Sequence, residues 1–154
     1  MPISLIRRPK VSGSNLRDYG VLKERVGEIF LKGQKRIEQE FVRIRYETGL
    51  LINEHVRLNE DRAAYGSEAI LKLEKDLGID SSELGRFAQF AKAYPISGGR
   101  RKLGFNLPWT HYRKLITIQD GKRRLELTRL AEEKEWTFEQ LVTRVGREHL
   151  KLED

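Results

Sequence analysis

The sequence predicts an all-α protein: a long N-terminal helix or helical hairpin, then a multi-helix domain containing a helix-turn-helix. Three observations carry this. Apolar residues recur at three- and four-residue steps along most of the chain, the period of a helix. No segment alternates at period two for long enough to make a strand. Capping residues and glycine or proline stops divide the pattern into pieces of helical length.

Residues 1–14 read as a flexible tail, because Pro2, Pro9, Ser12, Gly13 and Ser14 break any period. Residues 15–60 read as a long amphipathic segment. Leu22, Val26, Ile29, Gly33, Ile37, Phe41 and Ile44 share one stripe, and Leu50, Leu51, Ile52 and Val56 follow. This is one long helix or two, bent at Gly33 or Gly49. A single helix of about 40 residues would be ~60 Å long, more than a small domain can cover. Its N-terminal part then pairs with a second copy or another protein as a coiled coil, or else it folds back as a hairpin.

Residues 61–150 read as a separate helical domain. Ser67 suits an N-cap, Ala69, Ile70, Leu73 and Leu77 form one face, and Gly78 sits where a left-handed stop is wanted. Asp80 caps the next helix, with Glu83 three residues on. There Leu84, Phe87, Ala88, Ala91 and Tyr94 make an apolar stripe with Phe90 at its edge, and Pro95 ends it. Pro108 suits the first turn of a helix whose Trp109, Tyr112, Leu115 and Ile116 face inward. A helix over about 122–134 carries Leu125, Leu127, Leu130 and Ala131. Thr137 and Gln140 form a capping box for the last helix, which buries Phe138, Leu141, Val142 and Val145.

Leu77-Gly78-Ile79 has the spacing of a helix-turn-helix turn, and Leu73, Leu84 and Phe87 fall where such a motif needs apolar residues. Glu74 departs from it, since a small residue usually stands four before the glycine. An ordinary αα-hairpin would show the same glycine. If the motif is a DNA reader, 80–94 is the recognition helix, with Ser82, Gly85, Arg86, Gln89 and Lys92 outward. Arg86 to guanine and Gln89 to adenine can each make paired contacts, while Lys92 suits a phosphate.

Charge points the same way. The chain of 154 residues carries +7 from 30 basic and 23 acidic side chains. Between Arg86 and Arg124 there are ten basic residues and one acid, Asp120, so that window is +9 and the remainder −2. A positive field gathered into one stretch is the footprint of a nucleic-acid binder. Within it, the loop over 95–106 sets Arg100, Arg101 and Lys102 among glycines, where backbone N–H groups and cations can both approach phosphates. Arg113 and Lys114 follow on the next helix. "SGGRRKLG" lacks the frame of a nucleotide-binding P-loop and follows no strand; the alternative for the loop is a charged linker.

Catalysis finds little footing. There are no cysteines, which excludes disulfides, a thiolate nucleophile and Cys-ligated metal. His55, His111 and His149 are far apart and none belongs to an H-E-x-x-H pattern. His111 is expected to pack or hydrogen-bond at a helix start. "EKD" at 74–76 and "EKE" at 133–135 have the letters of a metal-dependent nuclease but lie in helices with no sheet to present them.

The run "YGSEAILKLEKDLGIDSSELGRFAQFAKAYP", then "LPWTHYRKLITIQD" and "WTFEQL", resembles the helical N-terminal domain of YhcG-type proteins, which carry a PD-(D/E)XK nuclease domain downstream. The ordered Tyr94-Pro95, then Leu107, Trp109, His111-Tyr112, and Trp136 with Leu141 carry the likeness over roughly residues 40–148. "RYETGLLINEHV" is similar to that family's first stretch without its usual tryptophan. Residues 107–145 are also similar, more faintly, to the helical DNA-binding part of ParB/KorB-type partition proteins. The resemblance implies a DNA-binding or DNA-targeting module whose aromatic and His-Tyr positions hold a helical core. It implies no catalytic role for them.

The expectation is a non-enzymatic, cofactor-free cytoplasmic protein that binds DNA, duplex first. Arg86, Gln89 and Lys92 approach the groove, and Arg100, Arg101, Lys102, Arg113 and Lys114 hold phosphates. The N-terminal helix makes a homo-oligomer or meets a partner. The alternatives are a protein-interaction adaptor and the specificity subunit of a nuclease. No apolar run approaches the ~18 residues of a membrane span.

Overall fold

A computed structural model describes residues 14–62, 64–95 and 104–153. Among these residues every regular element is helical and there is no strand. A 3-10 turn at Ser14–Arg17 leads into α1, Tyr19–Val26, then a π-helical segment at Gly27–Leu31 and α2 at Lys32–Leu58. The other helices are α3 Tyr65–Leu77, α4 Ser81–Ala93, α5 Trp109–Leu115, α6 Gly121–Glu133 and α7 Phe138–Glu153. The chain divides into two compact units between Ile37 and Glu38.

In the first unit, Asp18 caps α1 by accepting a hydrogen bond from the Gly20 N–H at 3.0 Å. Leu22, Val26, Ile29 and Ile37 are all exposed there. Gly33 and Gly49 both lie inside α2, so neither ends the helix, and the irregularity falls at 27–31 instead.

The second unit holds the core, built on α2 from Glu38 onward together with α3 to α7. Gly49 is a contact point. A Cβ there would stand 1.9 Å from the Phe87 carbonyl oxygen, so only glycine lets α4 approach so closely. Four residues along, Asn53 Nδ2 donates to the Ala88 carbonyl at 2.9 Å. Phe90 is fully buried at the centre of the core, where the sequence placed it at a stripe's edge. The reason is that α4 is covered on two sides. The Phe90 ring lies 5.3 Å from Tyr46 of α2, 5.2 Å from Trp109 and 5.0 Å from Tyr112 of α5, the separations at which aromatic pairs attract beyond their buried area.

Local chemistry sets most helix ends. Asp80 accepts from the Glu83 N–H at 3.1 Å, and Asp120 accepts from the Lys122 N–H at 3.0 Å. Thr137 and Gln140 exchange reciprocal bonds, the Thr137 N–H donating to Gln140 Oε1 at 2.9 Å and the Gln140 N–H to Thr137 Oγ1 at 3.2 Å. Gly78 stops α3 at φ 72°. Ser67 is not a cap. The helix begins two residues earlier, after left-handed Ala64, because α2 anchors Tyr65, whose hydroxyl lies 2.7 Å from His55 Nε2.

Glu74 shows what a long residue does at the turn. Its Oε2 accepts from the Ser81 N–H at 2.9 Å, satisfying an otherwise unpaired donor at the start of α4. The carboxylate therefore reaches across the turn and ties the two helices together.

Candidate nucleic-acid interface

The exposed strip of α4 is the one its periodicity implies. Ser82, Gln89 and Lys92 are exposed, with Gly85 and Arg86 half-buried between them. Opposite, Leu84, Phe87, Phe90 and Ala91 are buried, which aims the strip outward. In α5, buried Trp109, Tyr112 and Leu115 leave Thr110, Arg113 and Lys114 on the other side.

These two strips border an open cleft of about 350 Å³. Arg86 and Gln89 line it from α4, and Arg113 and Lys114 from α5, so four expected site residues from two separate segments converge. No carboxylate lines it. Lys92 is exposed on α4 but is not among the lining residues. Arg100, Arg101 and Lys102 lie outside the described residues.

Two side chains there are already held. Arg86 Nη1 stands 3.7 Å from Glu83 Oε1 one turn back. Gln89 Nε2 donates to the Ile116 carbonyl at 3.2 Å. That bond steadies α4 against the end of α5 and occupies the Gln89 amide N–H.

The sequence missed four lining residues, Thr110, Ile116, Thr117 and Phe138, of which Ile116 was read only as facing inward. Thr110 is one turn before Arg113 and Lys114, so helical spacing was its signal. Thr117 donates to the Lys114 carbonyl at 2.7 Å and lies 3.2 Å from His149 Nε2 of α7. Phe138 was expected to bury, yet it is 44 % exposed and edges the cleft. It is the first residue of α7, after the Thr137 cap. Its flanking neighbour Trp136, together with Leu141, already fills the core from that helix start. His111 backs the Phe138 ring at 6.1 Å, and is itself buried with Nε2 2.8 Å from the Trp136 carbonyl.

The basic window is not uniformly available. Arg123 pairs with Glu148 at 2.7 Å and Glu126 at 2.9 Å. Those bonds push its pKa above the usual arginine range. Arg124 Nη2 donates to the Ala93 carbonyl at 3.1 Å, and Nη1 to the Ile118 carbonyl. These two cations hold α6 to α7 and to α4, and neither lines the cleft.

Among the described residues no group of three or more His, Asp or Glu side chains could hold a metal, and no helix is long and apolar enough to cross a membrane.

Fold and cleft define an all-α domain with a basic face set between two helices. The chain belongs to the DUF1016 N-terminal domain family, whose model matches residues 22–151. That agrees with the resemblance to the helical N-terminal domain of YhcG-type nuclease family proteins; the ParB/KorB likeness is not shown by it. No curated protein and no solved structure matches the chain.

Proposed function

We propose that this domain binds DNA through the cleft between α4 and α5, as a targeting module rather than a catalyst. The observation that carries the reading is the convergence of Arg86, Arg113 and Lys114 on one cleft that no carboxylate lines. Arg113 and Lys114 suit phosphates and fix register, while Arg86 suits a base edge. Arg100, Arg101 and Lys102 extend the same positive window along the chain.

The test is a duplex titration at two salt concentrations. Neutralising about five phosphates gives a slope of log K against log salt of roughly −4.5. Arg113→Ala with Lys114→Ala should weaken all sequences alike and flatten that slope by about two units. Arg86→Ala should instead narrow the gap between preferred and random sequences. Absent or salt-independent binding refutes the reading, and equal effects of the two changes remove the recognition role of α4.

A second reading, an adaptor or oligomer, is favoured by one observation: the first unit exposes Leu22, Val26, Ile29, Phe30, Leu31 and Ile37 together. Light scattering with a DNA shift assay separates the two, since a stable oligomer without DNA affinity supports the adaptor.

A further inference from the structure

We infer that the cleft takes an unpaired nucleotide, so that DNA with single-stranded character is the preferred ligand. This rests on the DNA-binding reading and specifies its ligand. A B-form duplex cannot enter a space of about 350 Å³; it could only lie across the mouth. That volume falls instead within the roughly 300–1,000 Å³ of clefts that hold small molecules, the scale of one base with its sugar and phosphate.

The lining supplies each part such a ligand needs. Phe138 places an aromatic ring at the rim, 44 % exposed. The core does not need it there, since Trp136 and Leu141 already fill the interior at the start of α7. His111, held by its bond to the Trp136 carbonyl, meets the Phe138 ring in a T-shaped pair at 6.1 Å. Every base has a π-face, so an exposed ring beside cations is the sequence-tolerant platform by which proteins hold single strands. Arg113 and Lys114 stand on the same cleft for the phosphate, and Thr110, Thr117 and the Gln89 amide offer hydrogen bonds to base or sugar. A surface that only gripped duplex phosphates would have no use for the ring.

The experiment measures fluorescence anisotropy with three probes: a blunt duplex, the same duplex with a single-stranded overhang, and the free single strand. The overhang probe should bind more tightly than the blunt duplex. Phe138→Ala should lower overhang affinity by roughly 5- to 150-fold, the range of one base–aromatic stack, and bring the overhang-to-blunt ratio towards one. Phe138→Tyr keeps the ring and should keep the ratio, whereas Phe138→Leu keeps the bulk without the ring and should lose it. Circular dichroism melting of each variant checks folding, and Tyr against Leu compares side chains that fill the same place. A ratio near one in the unaltered protein overturns the inference, as does full preference in Phe138→Leu. If blunt duplex still binds with its salt slope in those cases, the DNA-binding reading stands. If no probe binds, that reading has failed first.

Discussion

Gly49→Ala isolates the contact that seats the candidate recognition helix. The added Cβ would lie 1.9 Å from the Phe87 carbonyl oxygen, 2.5 Å from its carbon and 3.0 Å from the Ala91 Cβ. Real Cβ atoms essentially never come within 3.0 Å, so the gap is about 1.1 Å too small. The obstacle is backbone inside α4 and cannot rotate aside, so α2 and α4 must part. Overpacking of this kind costs about 1–3 kcal/mol, and a backbone clash belongs at the upper end. Alanine returns up to ~1 kcal/mol through helix propensity, which leaves a net loss of about 2 kcal/mol. At ~2–4 °C per kcal/mol for a chain of this size, Tm should fall by roughly 4–8 °C. Urea unfolding should show the same loss as a lower midpoint with an unchanged m-value. Gly85→Ala and Gly146→Ala provide the contrast, because an added Cβ meets nothing within 4 Å at either. Those helix positions should gain up to ~1 kcal/mol from the same chemical change. If Gly49→Ala proves as stable as the unaltered protein, the close α2–α4 approach is wrong.

Three further outcomes follow from local geometry. Glu135 holds φ 50° just past the end of α6, a place where glycine carries no strain, so Glu135→Gly should raise stability by about 1 kcal/mol in urea unfolding. Glu74→Ala strips the Ser81 N–H of its acceptor and should cost about 1 kcal/mol by the same assay, with Glu74→Gln losing less. Burial pushes the Tyr94 hydroxyl up to about 12, partly opposed by its bond to Thr128. A raised folded-state pKa means stability is full below the ordinary tyrosine value near 10 and is lost as pH rises towards 12. Unfolding free energy should therefore drop across that window. The drop should shrink in Tyr94→Phe, leaving the share of Tyr46 and Tyr112, which burial also pushes up.

Helix ends were legible because caps act within four residues. Asp80, Thr137 with Gln140, and Gly78 do what their positions imply. Ser67 misled because α3 takes its start from a contact with His55 on α2, ten residues before Tyr65. Buried faces were legible where the apolar stripe is unbroken, as with Trp109, Tyr112 and Leu115, while Leu77 and Leu125, read on apolar faces, are exposed. Phe90 escaped because α4 is covered from two directions, and periodicity describes a single face. Half of the expected site residues, Arg86, Gln89, Arg113 and Lys114, share the cleft, since each points away from a buried stripe.

Sequence was enough for the all-α class, for the caps at Asp80, Gly78 and Thr137, for the outward cations of α4 and α5 and for the gathering of positive charge. These depend on side-chain period and on neighbours within a turn. Only the tertiary structure decided that the two strips face one cleft, that Phe138 edges it, and that Arg123 and Arg124 are held by carboxylates and carbonyls. It also decided that Glu74 spans the turn and that Gly49 is a contact and not a bend. Those outcomes depend on which helix packs on which, and the energy that chooses among packings is shared by residues far apart in the chain.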